Sequence, residues 1–336
     1  MVRIAILEAS HWHVPLYLDG FSAPDIDVVA VSDLTENAGR ALASRYGAKF
    51  YRTVDELLDK ECIDFAFAFG RHRDLPRIAN RLVEARTPFS IEKPCGLSVP
   101  DVAGLLASAQ AIGLYVAVPY IYRVSELCRI IGELEGGLPS NFTHLSFRFI
   151  AGAPRRYEAW DCAWMLDPAE SGGGALINVG GHFLDLFLLL TGKPVTRVSA
   201  VMSAATHGTS VEDFAAVTLQ TGDGVVGVVE AGYTYPGAPG EQREFSFTAR
   251  SKTHYLRSCD QGLAIREVAG DSGDARTINF ERETDLYYPI FARRVLTEWR
   301  QGQAPSIGLR EALEVMKILA AAYESARQGG APVAIT

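Results

Sequence analysis

The chain has 336 residues, a formal charge of -8 and 48% apolar residues. A chain of this length predicts two domains with room for real cores. Its acidic balance does not suit a protein that follows a phosphate backbone, so nucleic acid is not an expected partner. Five dispersed cysteines (Cys62, Cys95, Cys128, Cys162 and Cys259), none in a CxxC pair, argue against a disulfide framework and a structural zinc site. The opening run Val2–Leu7 is too short for a signal peptide. The run Phe183–Leu190, broken by Asp185, falls far short of a membrane span. The cytoplasm is the expected location, with no membrane partner.

Short, continuously apolar runs at Val2–Leu7, Asp27–Ser32, Ile63–Phe69, Pro88–Ile91 and Leu114–Val118 read as strands. Amphipathic stretches at Ala38–Tyr46, Asp74–Ala85 and Asp101–Ala111 alternate with them as helices. Strands apolar on both faces belong in a covered parallel sheet, so residues 1–120 predict a doubly wound α/β domain of Rossmann type. After Tyr120 the pattern changes. A helix over Val124–Glu135 precedes more clearly alternating runs at Asn141–Ile150, Val195–Ser203, Phe214–Gln220, Val225–Tyr235 and Glu244–Ala249. Thr221-Gly222-Asp223-Gly224 is a hairpin signal, and Leu309–Gln328 reads as a closing amphipathic helix. Residues 121–336 thus predict an α+β domain with a large, mostly antiparallel open sheet. Pro236–Arg243, rich in Gly, Pro and charge, is the expected mobile loop.

A first turn that cradles a pyrophosphate needs glycines, which let the backbone amides approach the phosphates. Here the turn reads Glu8-Ala9-Ser10-His11-Trp12-His13, without glycine and with a carboxylate at its start. Ser10, His11 and Trp12 are its candidate dinucleotide contacts. Asp33, closing the second strand, suits ribose hydroxyls and would repel a 2′-phosphate, favouring NAD(H) over NADP(H). It equally suits a helix N-cap. The run Gly70-Arg71-His72-Arg73 follows a strand end, where Arg71 could meet an anion or simply be solvated.

Two constellations carry chemistry. Glu92-Lys93-Pro94 follows an inner strand, which directs Lys93 toward the ligand side of the sheet, and Pro94 is a candidate cis residue. The second is Ser171-Gly172-Gly173-Gly174-Ala175-Leu176-Ile177-Asn178-Val179-Gly180-Gly181-His182-Phe183-Leu184-Asp185. On a helix over Ala175–Leu190, Asn178, His182 and Asp185 would share one polar stripe. His182 suits proton exchange near neutral pH, the alternative being a core histidine capped by Asp185. Trp160, in the aromatic loop Arg155–Asp161, reads as cleft lining or as core.

These two motifs, with Trp164-Met165-Leu166-Asp167-Pro168 and the ending Ala321-Ala322-Tyr323-Glu324-Ser325-Ala326-Arg327, resemble the glucose-fructose oxidoreductase / inositol dehydrogenase / MocA-like family over nearly the whole chain. The resemblance implies NAD(P)-dependent oxidation or reduction of a sugar, inositol or related polyol. It also implies a homodimer or homotetramer formed through the C-terminal sheet. Under it Lys93 orients the reacting hydroxyl, His182 exchanges its proton, and Asn178 stands where the family usually has Asp. Glu92 and Lys93 would border the cofactor, and Arg123 matches a frequent family arginine at the substrate. Further departures are the three glycine positions, which fall at Glu8, Ser10 and His13, the usual Thr-Pro-Asn replaced near Phe69-Gly70-Arg71, a family His falling at Asp74, and Ile121 in place of the usual Asn near Arg123. Two other readings stay open: a non-catalytic or regulatory binder of a sugar-like ligand, and a lyase or epimerase that uses no free nicotinamide.

Overall fold

Val2–Leu7 forms strand β1, with Ile4, Ala5, Ile6 and Leu7 wholly buried, the signature of a strand covered on both faces. The computed structural model describes residues 1–237, 243–259, 262–267, 276–281 and 283–335. After β1 come α1 (Val14–Phe21), β2 (Ile26–Ser32), α2 (Glu36–Tyr46), β3 (Lys49–Tyr51), α3 (Val54–Lys60), β4 (Phe65–Ala68), α4 (Leu75–Glu84), β5 (Phe89–Ile91), α5 (Val99–Ala111) and β6 (Val116–Ala117). The strands lie parallel in the order β3-β2-β1-β4-β5-β6, the doubly wound arrangement with its switch point beside β1. Local signals fix the helix ends. Gly47 closes α2 in the left-handed conformation, and a reciprocal Ser98–Asp101 capping box opens α5.

The remaining elements are α6 (Glu126–Glu135), β7 (Phe142–Gly152), α7 (Arg156–Ala159), α8 (Pro168–Ser171), α9 (Gly181–Thr191), β8 (Val195–Ser203), β9 (Phe214–Thr221), β10 (Val226–Tyr235), β11 (Arg243–Ser251), β12 (His254–Cys259), β13 (Gly262–Glu267), β14 (Arg276–Ile278), α10 (Tyr287–Arg300), α11 (Leu309–Arg327) and β15 (Val333–Ala334). The nine strands β7–β15 form one sheet in the order β14-β13-β12-β11-β7-β10-β9-β8-β15, antiparallel except where β7 and β10 run parallel. The Thr221–Gly224 turn joins β9 to β10 as a hairpin. The loop expected at Pro236–Arg243 lies, at 238–242, outside the described residues.

The chain parts at Tyr120 but not only there. One compact unit comprises Met1–Tyr120, Tyr157–Gly172 and Asp285–Leu313; the other comprises Ile121–Arg156, Gly173–Thr284 and Glu314–Thr336. In the first unit the added segments have definite seats. Val118 N–H donates to Ile307 O at 3.1 Å, and a Cβ on Gly20 of α1 would come within 2.9 Å of Ala292 in α10. Pro168–Thr191 is long and apolar enough to cross a membrane by length and hydropathy alone. Of that window 83% is buried inside the protein, as in a core helix.

In the second unit the expected helix over Ala175–Leu190 is present in altered form. Leu176–Gly180 is a π-helical turn and Gly181–Thr191 is α-helical. A π turn inserts a residue and so displaces Asn178 from a regular helical stripe. Backbone crowding explains the glycines. A Cβ on Gly174 would lie 2.0 Å from Glu212 O, and one on Gly180 would lie 2.7 Å from Leu176 Cδ1. Glu212 caps this start, accepting N–H bonds from Gly174 at 2.8 Å and Leu176 at 2.9 Å.

Gly174→Ala is expected to destabilise the protein by about 3 kcal/mol, since the obstacle is backbone. Gly104→Ala, on the exposed side of α5 with open space around it, is expected to stabilise by about 0.5–1 kcal/mol. Urea unfolding of the two variants measures both.

Candidate active site

Lys93 follows β5 at the carboxyl end of the parallel sheet. Glu92 N–H still donates to Ala68 O at 3.0 Å, so strand pairing holds the backbone up to the lysine. The Lys93–Pro94 bond is cis. Lys93 is only 2% exposed, and burial lowers its pKa from 10.5 to about 8, against the pull of the Glu92 carboxylate. An amine in that state sits close to its titration point at neutral to mildly alkaline pH.

Around it the first unit assembles a buried polar set that the sequence only half announced. Glu92 Oε1 accepts from Tyr17 Oη at 3.0 Å, and Glu92 Oε2 lies 3.0 Å from His13 Nδ1. His13 Nε2 meets Tyr288 Oη at 3.1 Å, and His72 Nδ1 bonds Ser171 O at 2.7 Å. Burial holds His11 and His13 well below the usual histidine pKa, brings His72 to about 4, and raises Glu92. The three imidazoles are therefore neutral at pH 7. His13, His72, Tyr17 and Tyr288 were not among the expected site residues. His13 and His72 stand in motifs already noted, whereas nothing local in sequence pairs Tyr288 with a histidine 275 positions earlier.

The first turn is closed on itself. Ala9 N–H donates to Ser32 O, Ser10 N–H to Asp33 Oδ2, His11 N–H to Glu8 O, His13 N–H to His11 Nδ1 and Val14 N–H to His11 O. The Cys162 thiol donates to Ser10 O at 3.5 Å. Asp33 is wholly buried and holds the amides of Ser10 and Thr35, so it joins the turn to the start of α2 rather than facing solvent. The segment Tyr157–Gly172 packs over the same turn. Trp12 stacks on Trp160 at 5.7 Å and meets Tyr157 edge-on, while His11 lies 5.7 Å from Trp164. Trp160 is nonetheless 47% exposed. Arg71 and Arg73 both pair with Glu170, Arg71 at 2.9 Å, which holds this segment against the loop after β4. A pyrophosphate held by open backbone amides does not fit these residues, because the amides of Ala9, Ser10, His11, His13 and Val14 already have acceptors.

Glu8 keeps the left-handed backbone, φ 59°, at a position where the fold ordinarily has glycine. Burial, and then the Asp33 charge, raise its pKa from 4.5 to about 7. In the second unit, Asn178 Nδ2 donates to Tyr233 Oη at 2.9 Å, and that hydroxyl donates to Gly174 O at 3.2 Å. His182 is 9% exposed, its ring 6.2 Å from Tyr122. Asp185 is wholly buried and binds Arg123 through contacts of 2.7, 2.8 and 3.0 Å, a bidentate pair that fixes the arginine. Lys93, Glu92, Ser10, His11, Trp12, Asp33, Arg71 and Trp160 thus belong to the first unit, and Arg123, Asn178 and His182 to the second. Among the described residues no group of three or more His, Cys, Asp or Glu side chains could hold a metal.

Fold and motifs together define a two-part oxidoreductase architecture. Residues 10–120 match the family model described as "Oxidoreductase family, NAD-binding Rossmann fold", and residues 142–251 match the GFO/IDH/MocA C-terminal domain. The chain belongs to the GFO/IDH/MocA family of oxidoreductases, which includes NAD(P)-dependent sugar dehydrogenases. It is 23% identical to D-apiose dehydrogenase of Paraburkholderia graminis, covering 98% of this chain and 87% of that one. It is 25% identical to D-xylose 1-dehydrogenase (NADP(+)) 2 of Haloferax volcanii, covering 98% and 99%. Among solved structures, levoglucosan dehydrogenase in complex with NADH and levoglucosan shares the fold at a TM-score of 0.84 and 15% identity, over 99% of each chain. The WlbA dehydrogenase of Bordetella pertussis, in complex with NADH and UDP-GlcNAcA, does so at 0.82 and 19%, over 100% and 98%.

The Glu8 carboxyl links stability to pH. Its folded pKa lies above the unfolded value, so its stabilisation is complete below pH 4.5 and is lost as pH rises through about 7. Allowing for its partial exposure, the loss between pH 5 and 8 is expected to be on the order of 2 kcal/mol. Urea unfolding of the wild type and Glu8→Gln at both pH values isolates it: the buried histidines contribute to both proteins alike, so the pH 5-to-8 change in stability should be less favourable in the wild type than in Glu8→Gln by this amount.

Proposed function

We propose that this enzyme oxidises or reduces a carbon of a sugar, inositol or related polyol, with Lys93 polarising the reacting oxygen and His182 exchanging its proton. The observation that carries the reading is the buried, depressed-pKa amine of Lys93 at the carboxyl end of β5. As a cation it attracts the lone pair of a bound hydroxyl or carbonyl. As a free amine it accepts a proton. His182 supplies the second exchangeable proton, since Asn178 cannot act as a base. The dehydrogenase names of the relatives support the substrate class. A carboxylate at Asp33 supports NAD(H) over NADP(H), because a 2′-phosphate would be repelled. Self-association as a homodimer or homotetramer would use the nine-stranded sheet, on which the exposed Val201 and Val226 support the reading.

A second reading is favoured by one observation, the paired amides of the first turn. Lys93 and His182 would then move protons at a carbon next to a carbonyl, as a lyase or epimerase does, without free nicotinamide. Product analysis on aldoses and inositols, read alongside nicotinamide absorbance, separates the two. Product with an absorbance change supports the first, and product without one supports the second.

Under either reading Lys93→Met and His182→Asn are each expected to lower kcat by about 10²-fold or more. The wild-type rate should change around pH 8 as Lys93 loses its proton, and Lys93→Arg, charged throughout, should lose that limb. Unchanged kcat in both Lys93→Met and His182→Asn would refute the assignment.

A further inference from the structure

His11 carries a buried donor with nothing to bond. Its Nδ1 accepts the His13 N–H at 3.1 Å, so in the neutral ring the proton sits on Nε2. His11 is 4% exposed, and its Nε2 has no hydrogen-bond partner. The rings of Trp12 at 6.0 Å, His13 at 5.2 Å, Phe69 at 5.9 Å and Trp164 at 5.7 Å enclose it. Lys93, Glu92, His13 and His72 are the charged or titratable groups that act on it. A donor left unsatisfied in such surroundings carries a desolvation cost that an arriving acceptor relieves.

We propose that His11 Nε2–H, in the first domain beside Lys93, is a binding group for an uncharged oxygen, the carbonyl or hydroxyl of a sugar-like ligand, and that this donor stands in place of a pyrophosphate cradle. Three observations select an uncharged oxygen over a phosphate. The amides of Ala9, Ser10, His11, His13 and Val14, which would meet a phosphate, already have acceptors. The nearby guanidiniums of Arg71 and Arg73 are engaged by Glu170. The carboxyl groups of Glu8 and Asp33 flank the turn and repel an anion whenever they ionise. A neutral imidazole N–H in an apolar wall is suited to polarise a carbonyl, because it donates without introducing a charge that must be solvated. Aromatic faces beside one donor also suit the alternating C–H and O–H surface of a sugar.

This inference rests on the reading of Lys93 as substrate-facing, and the test separates the two by measuring binding without turnover. Protein with ¹⁵N-labelled histidine, in the wild type and in Lys93→Met, is observed by nuclear magnetic resonance of the imidazole nitrogens. His11→Phe identifies the His11 signal, with His11→Gln as a second variant should the first not fold. The expected result is a His11 ring protonated on Nε2 and not titrating near neutral pH. Its Nε2–H signal should move on addition of D-xylose, D-glucose or myo-inositol and stay unmoved by NAD⁺. Binding of the active sugar, read from the other histidine signals, should weaken on the order of tenfold in His11→Phe. An Nδ1–H ring, a signal moved by NAD⁺ and by none of the three polyols, or a signal moved by nothing (a bound water only) each overturns the proposal. Loss of turnover in Lys93→Met with the His11 shift retained upholds both readings. Retained turnover with the shift retained refutes only the role of Lys93.

Discussion

Backbone amides at the carboxyl end of a parallel sheet must find acceptors, and in this protein the β1–α1 turn finds them within itself and in the neighbouring Ser32 and Asp33. That constraint organises the rest of the first unit. Asp33 is buried where it closes the Ser10 amide, and Cys162 lies against the turn with its thiol donating to Ser10 O. The turn's side chains then pack outward as rings against Tyr157, Trp160 and Trp164. Glycines leave amides open for a charged ligand; bulky residues that cap their own amides make an apolar wall instead. One substitution pattern therefore changes the surface from an anion receptor to an aromatic enclosure without altering the strand order.

The histidines inside that enclosure stay neutral because burial opposes their charge more than Glu92 favours it. Neutral imidazoles have one donor and one acceptor each, and the partners already present determine which. His13 Nε2 bonds Tyr288 while its Nδ1 lies 3.0 Å from the Glu92 carboxylate, His72 bonds the Ser171 carbonyl, and His11 has its acceptor role filled and its donor role open. The same apolar surroundings that depress the histidines bring Lys93 to about 8. The depressed amine and the open donor thus have one physical origin, the removal of water from the carboxyl end of the sheet.

The parallel sheet was legible because its strands are buried on both faces and so read as unbroken apolar runs. The exception is β3, whose Lys49-Phe50-Tyr51 is too short and too polar to show a period. Helix α1 was hidden by Pro15 and Gly20. Pro15 is tolerated at the helix start, and Gly20 is required by the close approach of Ala292. Lys93 and His182 stood out because each follows a motif with a steric or electrostatic reason. The π turn at Leu176–Gly180 did not, since the same residues satisfy an α-helical pattern and only their packing selects the wider turn. Nor could spacing show that Tyr157–Gly172 and Asp285–Leu313 return to the first unit, because the contacts that seat them join residues far apart in sequence.

The second unit solves an equivalent problem with different means. A helix that starts in a triple glycine leaves several N–H groups without helical partners. Here Glu212 takes two of them, while Tyr323 donates to the same carboxylate at 2.9 Å. With its start anchored, the helix carries the wholly buried Asp185 into a pair with the largely buried Arg123. A buried ion pair of this kind contributes little net stability, but breaking it leaves an uncompensated charge, so it holds geometry more than it adds energy. Asn178 and His182 precede Asp185 on this anchored segment, and the Tyr233 hydroxyl fixes the Asn178 amide. His182 is consequently carried by a backbone whose register is set at both ends, which is what the proton exchange proposed for it would require.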